Sequence, residues 1–259
     1  MDKQNAQYKK NAQILAKLRA KGQRLQSIDS IRGLSVCLMV GDHFFFDLVE
    51  FAGAPPALFS NPVFDVLHLI FLSIFLMLSG LSCRLSHSNF KRGLLTLAAA
   101  ESITLVTYCM DAFWGYRTLI AFGILHLMAC CMLFFAAAHK WLDRIPYWLT
   151  PFFYALMIFV TWKVFYMRYV DVEWLFPLGL ISRSFYWSDY YPLFPWMFVF
   201  LLGTWLGPRL VEGRFPNGFY TFRFPLLAWV GRHALVIYLA HQPLLFGLTQ
   251  LIIRAMAKN

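Results

Sequence analysis

The stretch SIDSIRGLSVCLMVGDHFFFDL, residues 27–48, decides the fold class. It opens on Ser27 and Asp29, either of which can cap a helix. It then runs through an apolar segment of the length that crosses a bilayer, about 20 residues. A helix carries His43 about 16 Å beyond Arg32 at 1.5 Å per residue. Arg32 therefore stands at a membrane face and the imidazole well inside. Asp47 follows one turn later on the same helix face as His43. Ionisable side chains are costly in hydrocarbon, so their presence there is a functional hypothesis by default.

The rest of the chain has the same character. Of its 259 residues 59% are hydrophobic, 19% aromatic and only 14% charged, where a soluble domain carries about 25% charge. Membrane-spanning runs are expected near 31–51, 63–83, 94–111, 117–137, 147–167, 192–210 and 233–254. The fold class is thus an all-α polytopic membrane bundle of about seven helices. Trp174–Ile181 is apolar but short and holds Pro177 and Gly179, so it reads as a re-entrant or interfacial piece rather than an eighth span.

Cations favour the cytoplasmic side. With the N-terminus inside, that side collects the lysines and arginines of the first 24 residues, Arg84, Lys91, Arg92, Lys140, Arg144, Arg209, Arg214, Arg223 and Arg232. The outer side keeps Arg117, Arg168, Arg183, Arg254 and Lys258. The imbalance places the N-terminus of this multi-pass membrane chain in the cytoplasm. It also assigns the net charge of +10 to the membrane surface rather than to nucleic acid. No cleavable signal sequence is visible. Residues 1–26 form a basic cytoplasmic or interfacial segment, either a surface-lying helix or a frayed tail. Residues 27–259 form a single membrane domain. Cys37, Cys83, Cys109, Cys130 and Cys131 lie in or beside apolar runs without metal-ligand spacing, and read as reduced small hydrophobes.

Three imidazoles sit in three different spans: His43, His126 and His241. They reach overlapping depths, and Pro243 can loosen the helix around His241. A carboxylate at the spacing of Asp47 can orient the His43 imidazole and stabilise its charged form, as general-base chemistry requires. His68 and His233 read as interfacial, and His87 and His139 as loop residues. The candidate catalytic group is His43, Asp47, His126 and His241. Inner-face Arg32, Arg84, Arg92 and Arg232 suit the phosphates of a nucleotide-bearing donor. Asp189, Tyr190 and Trp196 of the outer loop, with Tyr238, suit a carbohydrate-like acceptor. A proton-coupled transporter using the same His/Asp cluster as a relay is the alternative, and a haem or metal centre is disfavoured because no helix carries an i, i+4 histidine pair.

Arg32 and His43 match the R-x10-H signature of membrane acyltransferases. Residues 27–48, FGILHL at 122–127, SDYYPLFPW at 188–196 and GRHALVIYLAHQPLL at 231–245 together resemble the bacterial relatives of heparan-alpha-glucosaminide N-acetyltransferase. The resemblance runs from residue 24 nearly to the end. It implies acetyl transfer from cytoplasmic acetyl-CoA to an amine or hydroxyl of a sugar-type acceptor, with His43 as principal catalytic residue and no metal. A homodimer is compatible with it. The lysosomal enzyme of that family has asparagine in place of His43, so its glucosaminide acceptor is not carried over.

Overall fold

A computed structural model describes residues 2–115, 118–186 and 188–256. Arg117 and Lys258, two of the expected outer cations, lie outside the described residues. The helices are α1 (Asp2–Ala20), α2 (Gln26–Ala52), α3 (Pro62–Cys83), α4 (Asn89–Trp114), α5 (Ile124–Leu142), α6 (Thr150–Val164), α7 (Leu193–Val211), α8 (Asn217–Thr221), α9 (Pro225–Arg232) and α10 (Ala234–Met256). Two short strands, β1 (Arg168–Tyr169) and β2 (Leu180–Ile181), pair in parallel.

The boundaries follow local chemistry. Gly53 takes the left-handed conformation at φ 69° and closes α2 with a hydrogen bond to Leu48 O, the common glycine stop. The Ser88 side chain accepts from the Lys91 amide and opens α4. Prolines in the first turn start α6 and α9, where a missing N–H costs nothing.

Five helices are long and apolar enough to cross a membrane: α3, α4, α5, α7 and α10. Each overlaps an expected span, although α5 at Ile124–Leu142 lies later than the run expected at 117–137. Helix α2 has 27 residues but carries Asp29, Arg32, Asp42, Asp47 and Glu50, which keeps it out of that set. Helix α6 has 15 residues and is shorter than the run expected there. Trp174–Ile181 forms no helix; it holds a 3-10 turn at Phe176–Leu178 and then β2. The five cysteines are free.

The chain divides into two compact units. The first comprises residues 1–75 and 209–259. Within it α2 and α9 cross at glycines. A Cβ on Gly33 would lie 2.0 Å from Leu227 O, and one on Gly231 would lie 1.8 Å from Asp29 O. Only small residues permit this approach of backbones. Phe51 meets Phe246 and His43 meets His241, so α2 and α10 run parallel. The basic N-terminal segment is helical rather than frayed. It docks through buried Asn11, whose amide donates to Gly213 O at 3.0 Å and Phe215 O at 3.2 Å.

The second unit comprises residues 76–208. Here α4 and α5 form an antiparallel hairpin, with Gly93 against Leu133 near one end and Thr104 against His126 near the other. Arg84 donates to both carboxylate oxygens of Asp143 and to Thr204 O, and its guanidinium lies 4.9 Å from the centre of the Phe135 ring.

Candidate functional site

In the first unit, α2 and α10 bring polar side chains together. The His43 and His241 rings meet edge to face at 4.9 Å between centroids. Each ring bonds to a carbonyl of its own helix through Nδ1, His43 to Met39 and His241 to Tyr238. A carbonyl can only accept, so both Nδ1 atoms carry the proton and both Nε2 atoms are left with a lone pair. One turn beyond His43, Asp47 is fully buried. Its Oδ1 accepts from the Gln242 amide at 2.9 Å. The i, i+4 spacing had pointed Asp47 at His43; in the structure the bond goes to the residue after His241. Gln242 belongs to this site, although nothing in the 231–245 stretch marks it out. Three buried atoms here find no hydrogen-bond partner among the described residues: Asp47 Oδ2, His241 Nε2 and Gln242 Oε1. By the same tautomer and amide assignments, all three are acceptors. Tyr238 lies 5.3 Å from His241, ring to ring.

Two further features share this unit. His68 Nδ1 meets Asp42 Oδ2 at 3.1 Å, joining α3 to α2. At the other end of α2, buried Asp29 bonds to Arg32 at 2.9 Å and also feels the charges of Arg24 and Arg232. Three cations thus surround one carboxylate where the donor phosphates were expected.

The second unit holds the remaining expected residues. His126 caps its own helix: the Gly123 amide donates to its Nδ1 at 3.2 Å. Its Nε2–H therefore faces Thr104 Oγ1 at 3.3 Å and Glu101 at 3.7 Å. This is the opposite tautomer to His43 and His241. Arg84 is committed to Asp143, and Arg92 reaches Ser82 O at 3.4 Å. The Arg84 contact holds the Asp143 carboxyl below its ordinary range. In the loop before α7, the Ser188 and Tyr191 amides donate to Leu119 O and Phe122 O. The Tyr190 hydroxyl donates to Phe176 O, and burial pushes that phenol up. Asp189 sits in the left-handed region at φ 47°, which aspartate tolerates better than most residues. Trp196 is buried at the head of α7. Its ring Nε1 is buried and finds no hydrogen-bond partner among the described residues. Among the described residues no cluster of three or more His, Cys, Asp or Glu is placed to hold a metal ion.

No curated protein and no solved structure matches the chain. A family model described as heparan-alpha-glucosaminide N-acetyltransferase, catalytic, matches residues 24–243. That interval contains α2 through the His241–Gln242 turn of α10, and hence every residue of the α2–α10 site. The chain belongs to the heparan-alpha-glucosaminide N-acetyltransferase catalytic family and, with its apolar spanning helices, is a multi-pass membrane acetyltransferase of that kind.

Proposed function

We propose that the chain transfers an acetyl group from cytoplasmic acetyl-CoA to an amine or hydroxyl of a sugar-type acceptor, and that the α2–α10 site is where the acyl group reacts. The N-terminus lies in the cytoplasm of a bacterial inner-membrane topology, and a homodimer remains compatible. The observation that carries the reading is the His43–His241 pair at 4.9 Å with buried Asp47 one turn away.

Arg24, Arg32 and Arg232 cluster about a single carboxylate, leaving excess positive charge at the start of α2 for the donor's phosphates. His43 stands about 16 Å further along the same helix. A long, flexible pantetheine arm spans such a gap; a bare acyl phosphate does not. At His43 the Nε2 lone pair faces the acyl carbonyl, serving as base or as acyl carrier. His241 packs against it, and the Asp47–Gln242 bond fixes α10 beside α2. Tyr238, beside His241, is assigned to the acceptor, and Asp189, Tyr190, Trp196, His126, Arg84 and Arg92 to supporting roles within the second unit.

The test is acetyl-CoA consumption by the purified protein in liposomes, with glucosamine as first acceptor. His43→Ala is expected to lower the rate by about 10²–10⁴-fold while the unfolding temperature holds. A folded His43→Ala protein with undiminished transfer overturns the assignment. Movement of a solute without thioester consumption would support the transporter reading instead.

A further inference from the structure

The second unit contains a cavity of about 350 Å³ that no step of the acyl transfer uses. It lies where helices end. Arg84 follows α3, residues 142–147 join α5 to α6, and Thr204 and Trp205 stand in the last two turns of α7. All of them fall within residues 76–208. The volume is that of a small-molecule site, for which about 300–1,000 Å³ is usual.

The charges on its wall do not cancel. Arg84 is fully engaged: its Nε donates to Thr204 O at 3.1 Å, and its terminal nitrogens donate to both carboxylate oxygens of Asp143. These two side chains neutralise each other. Arg144, the next residue, also borders the cavity. Its guanidinium makes no hydrogen bond or ion pair among the described residues, so the wall keeps an excess positive charge. Helix α6 adds to it, because its first turn borders the cavity through Thr150. No side chain caps that turn, and the start of a helix attracts anions. Tyr154, one turn further along α6, is 2% exposed and borders the same cavity. Its hydroxyl makes no hydrogen bond among the described residues, yet lies close enough to Arg84 and Asp143 to feel their charges. A buried hydroxyl without a partner is costly. A guanidinium, an O–H donor and a helix start together suit the oxygens of a phosphate.

The setting is that of a membrane surface. Trp141 and Trp148 bracket the α5–α6 connection and are 64% and 71% exposed. Tryptophans so placed sit at the level of lipid headgroups. Tyr147 stacks on Trp205 at 5.0 Å between ring centroids, and the indole N–H donates to Tyr147 O at 2.9 Å, which braces one wall. Basic pockets between spanning helices at this level bind phospholipid heads.

We propose that this cavity binds the phosphate of a membrane phospholipid, with Arg144 as its cation and Tyr154 as its buried donor. The bound head joins the ends of α3, α6 and α7.

The experiment measures binding of dihexanoyl-phosphatidylglycerol to the full-length protein, purified in detergent and stripped of lipid, through the concentration-dependent rise in unfolding temperature. Dihexanoylglycerol carries the same chains without phosphate. Inorganic phosphate and glycerol 3-phosphate carry phosphate without chains, and acetyl-CoA is a soluble phosphate-bearing competitor. Saturable stabilisation by the phospholipid is expected, with little from the others. Arg144→Gln should weaken it about tenfold or more, the worth of a hydrogen bond to a charged group. Tyr154→Phe, which keeps the ring, should weaken it by about 3–10-fold. Arg144 is exposed, so Arg144→Gln should unfold near the wild-type temperature without lipid, and it decides alone if Tyr154→Phe fails to fold. No stabilisation of the wild type, equal stabilisation by dihexanoylglycerol, or an unchanged affinity in Arg144→Gln overturns the proposal. Equal stabilisation by inorganic phosphate or glycerol 3-phosphate overturns the lipid source. Displacement of the phospholipid by acetyl-CoA, lost in Arg144→Gln, overturns it too and gives the cavity to the donor.

Discussion

Replacing Gly231 by alanine tests whether the α2–α9 crossing sets the geometry of the first unit. The added Cβ would stand 1.8 Å from the Asp29 carbonyl oxygen and 2.7 Å from its carbon. Ordinary van der Waals contact begins at 3.4 Å, so the backbones must separate by roughly the difference, about 1.6 Å. The obstacle is backbone on an opposing helix, not the end of a flexible side chain, so no rotamer change relieves it. Overpacking of this kind typically costs about 1–3 kcal/mol, and a backbone clash belongs at the upper end. Gly247→Ala is the internal control. Gly247 lies inside α10 and a Cβ there meets nothing within 4 Å. That change should stabilise by about 0.5–1 kcal/mol, since glycine is a poor helix residue. The assay is thermal unfolding of both variants in one detergent, with acetyl-CoA consumption beside it. Gly231→Ala should unfold at lower temperature than wild type and Gly247→Ala at the same temperature or higher. Because Asp29 and Arg232 flank the crossing, Gly231→Ala should also weaken binding of CoA. If the two alanine variants were equally stable, the close approach of α2 and α9 would be refuted.

Three further outcomes follow from particular contacts. Arg84 holds the Asp143 carboxyl below its ordinary value of 3.8. A depressed folded pKa stabilises above the unfolded value and is lost as pH falls through the folded one, so acid should erode stability below about pH 4. Asp143 is 44% exposed, so solvent screening limits the pair to about 1 kcal/mol or less, and Asp143→Asn should flatten the acid limb of unfolding temperature against pH by that amount. Asn11→Ala removes both hydrogen bonds that tie α1 to Gly213 and Phe215. It should cost about 1–3 kcal/mol for the carbonyls left unsatisfied and speed proteolysis in the turn at residues 21–25, measured by limited digestion. Gln242→Leu strips the hydrogen bond that buried Asp47 accepts through Oδ1. Bonds to charged groups are worth about 1.5–3 kcal/mol, and a loss of stability in that range, recovered by Asp47→Asn in the same chain, would show the two side chains to be coupled.

Hydropathy made the spanning helices legible because hydrocarbon leaves the backbone few choices: each apolar run must bond its own amides, and a helix does so. The runs expected at 63–83, 192–210 and 233–254 fall on α3, α7 and α10 nearly residue for residue. The misjudged piece is one where another force outweighs hydropathy: Pro151 starts α6 late. Pro177 and Gly179, legible in the sequence as breakers, keep 174–181 from forming a helix. The docking of α1 depends on Asn11 finding two carbonyls some 200 residues away, which local periodicity does not encode.

Side-chain partnership in the site was less legible, and α2 shows why. It carries two carboxylates five residues apart, Asp42 and Asp47, with His43 between them. Spacing along one helix favours the Asp47–His43 pair, because residues four apart are neighbours on the surface. Yet a carboxylate bonds to the donor that tertiary packing presents, and that depends on how α3 and α10 are rotated about their own axes. The rotation found here gives Asp42 to His68 and Asp47 to Gln242. It leaves His43 facing His241, with each ring's Nδ1 on a carbonyl of its own helix. A polar seam serving packing alone would match donors to acceptors, since a buried polar group without a partner is expensive. The α2–α10 seam instead leaves Asp47 Oδ2, Gln242 Oε1 and His241 Nε2 as acceptors without donors. An excess of one kind of hydrogen-bonding atom is costly for stability and suits recognition, because such a seam favours a bound group rich in donors.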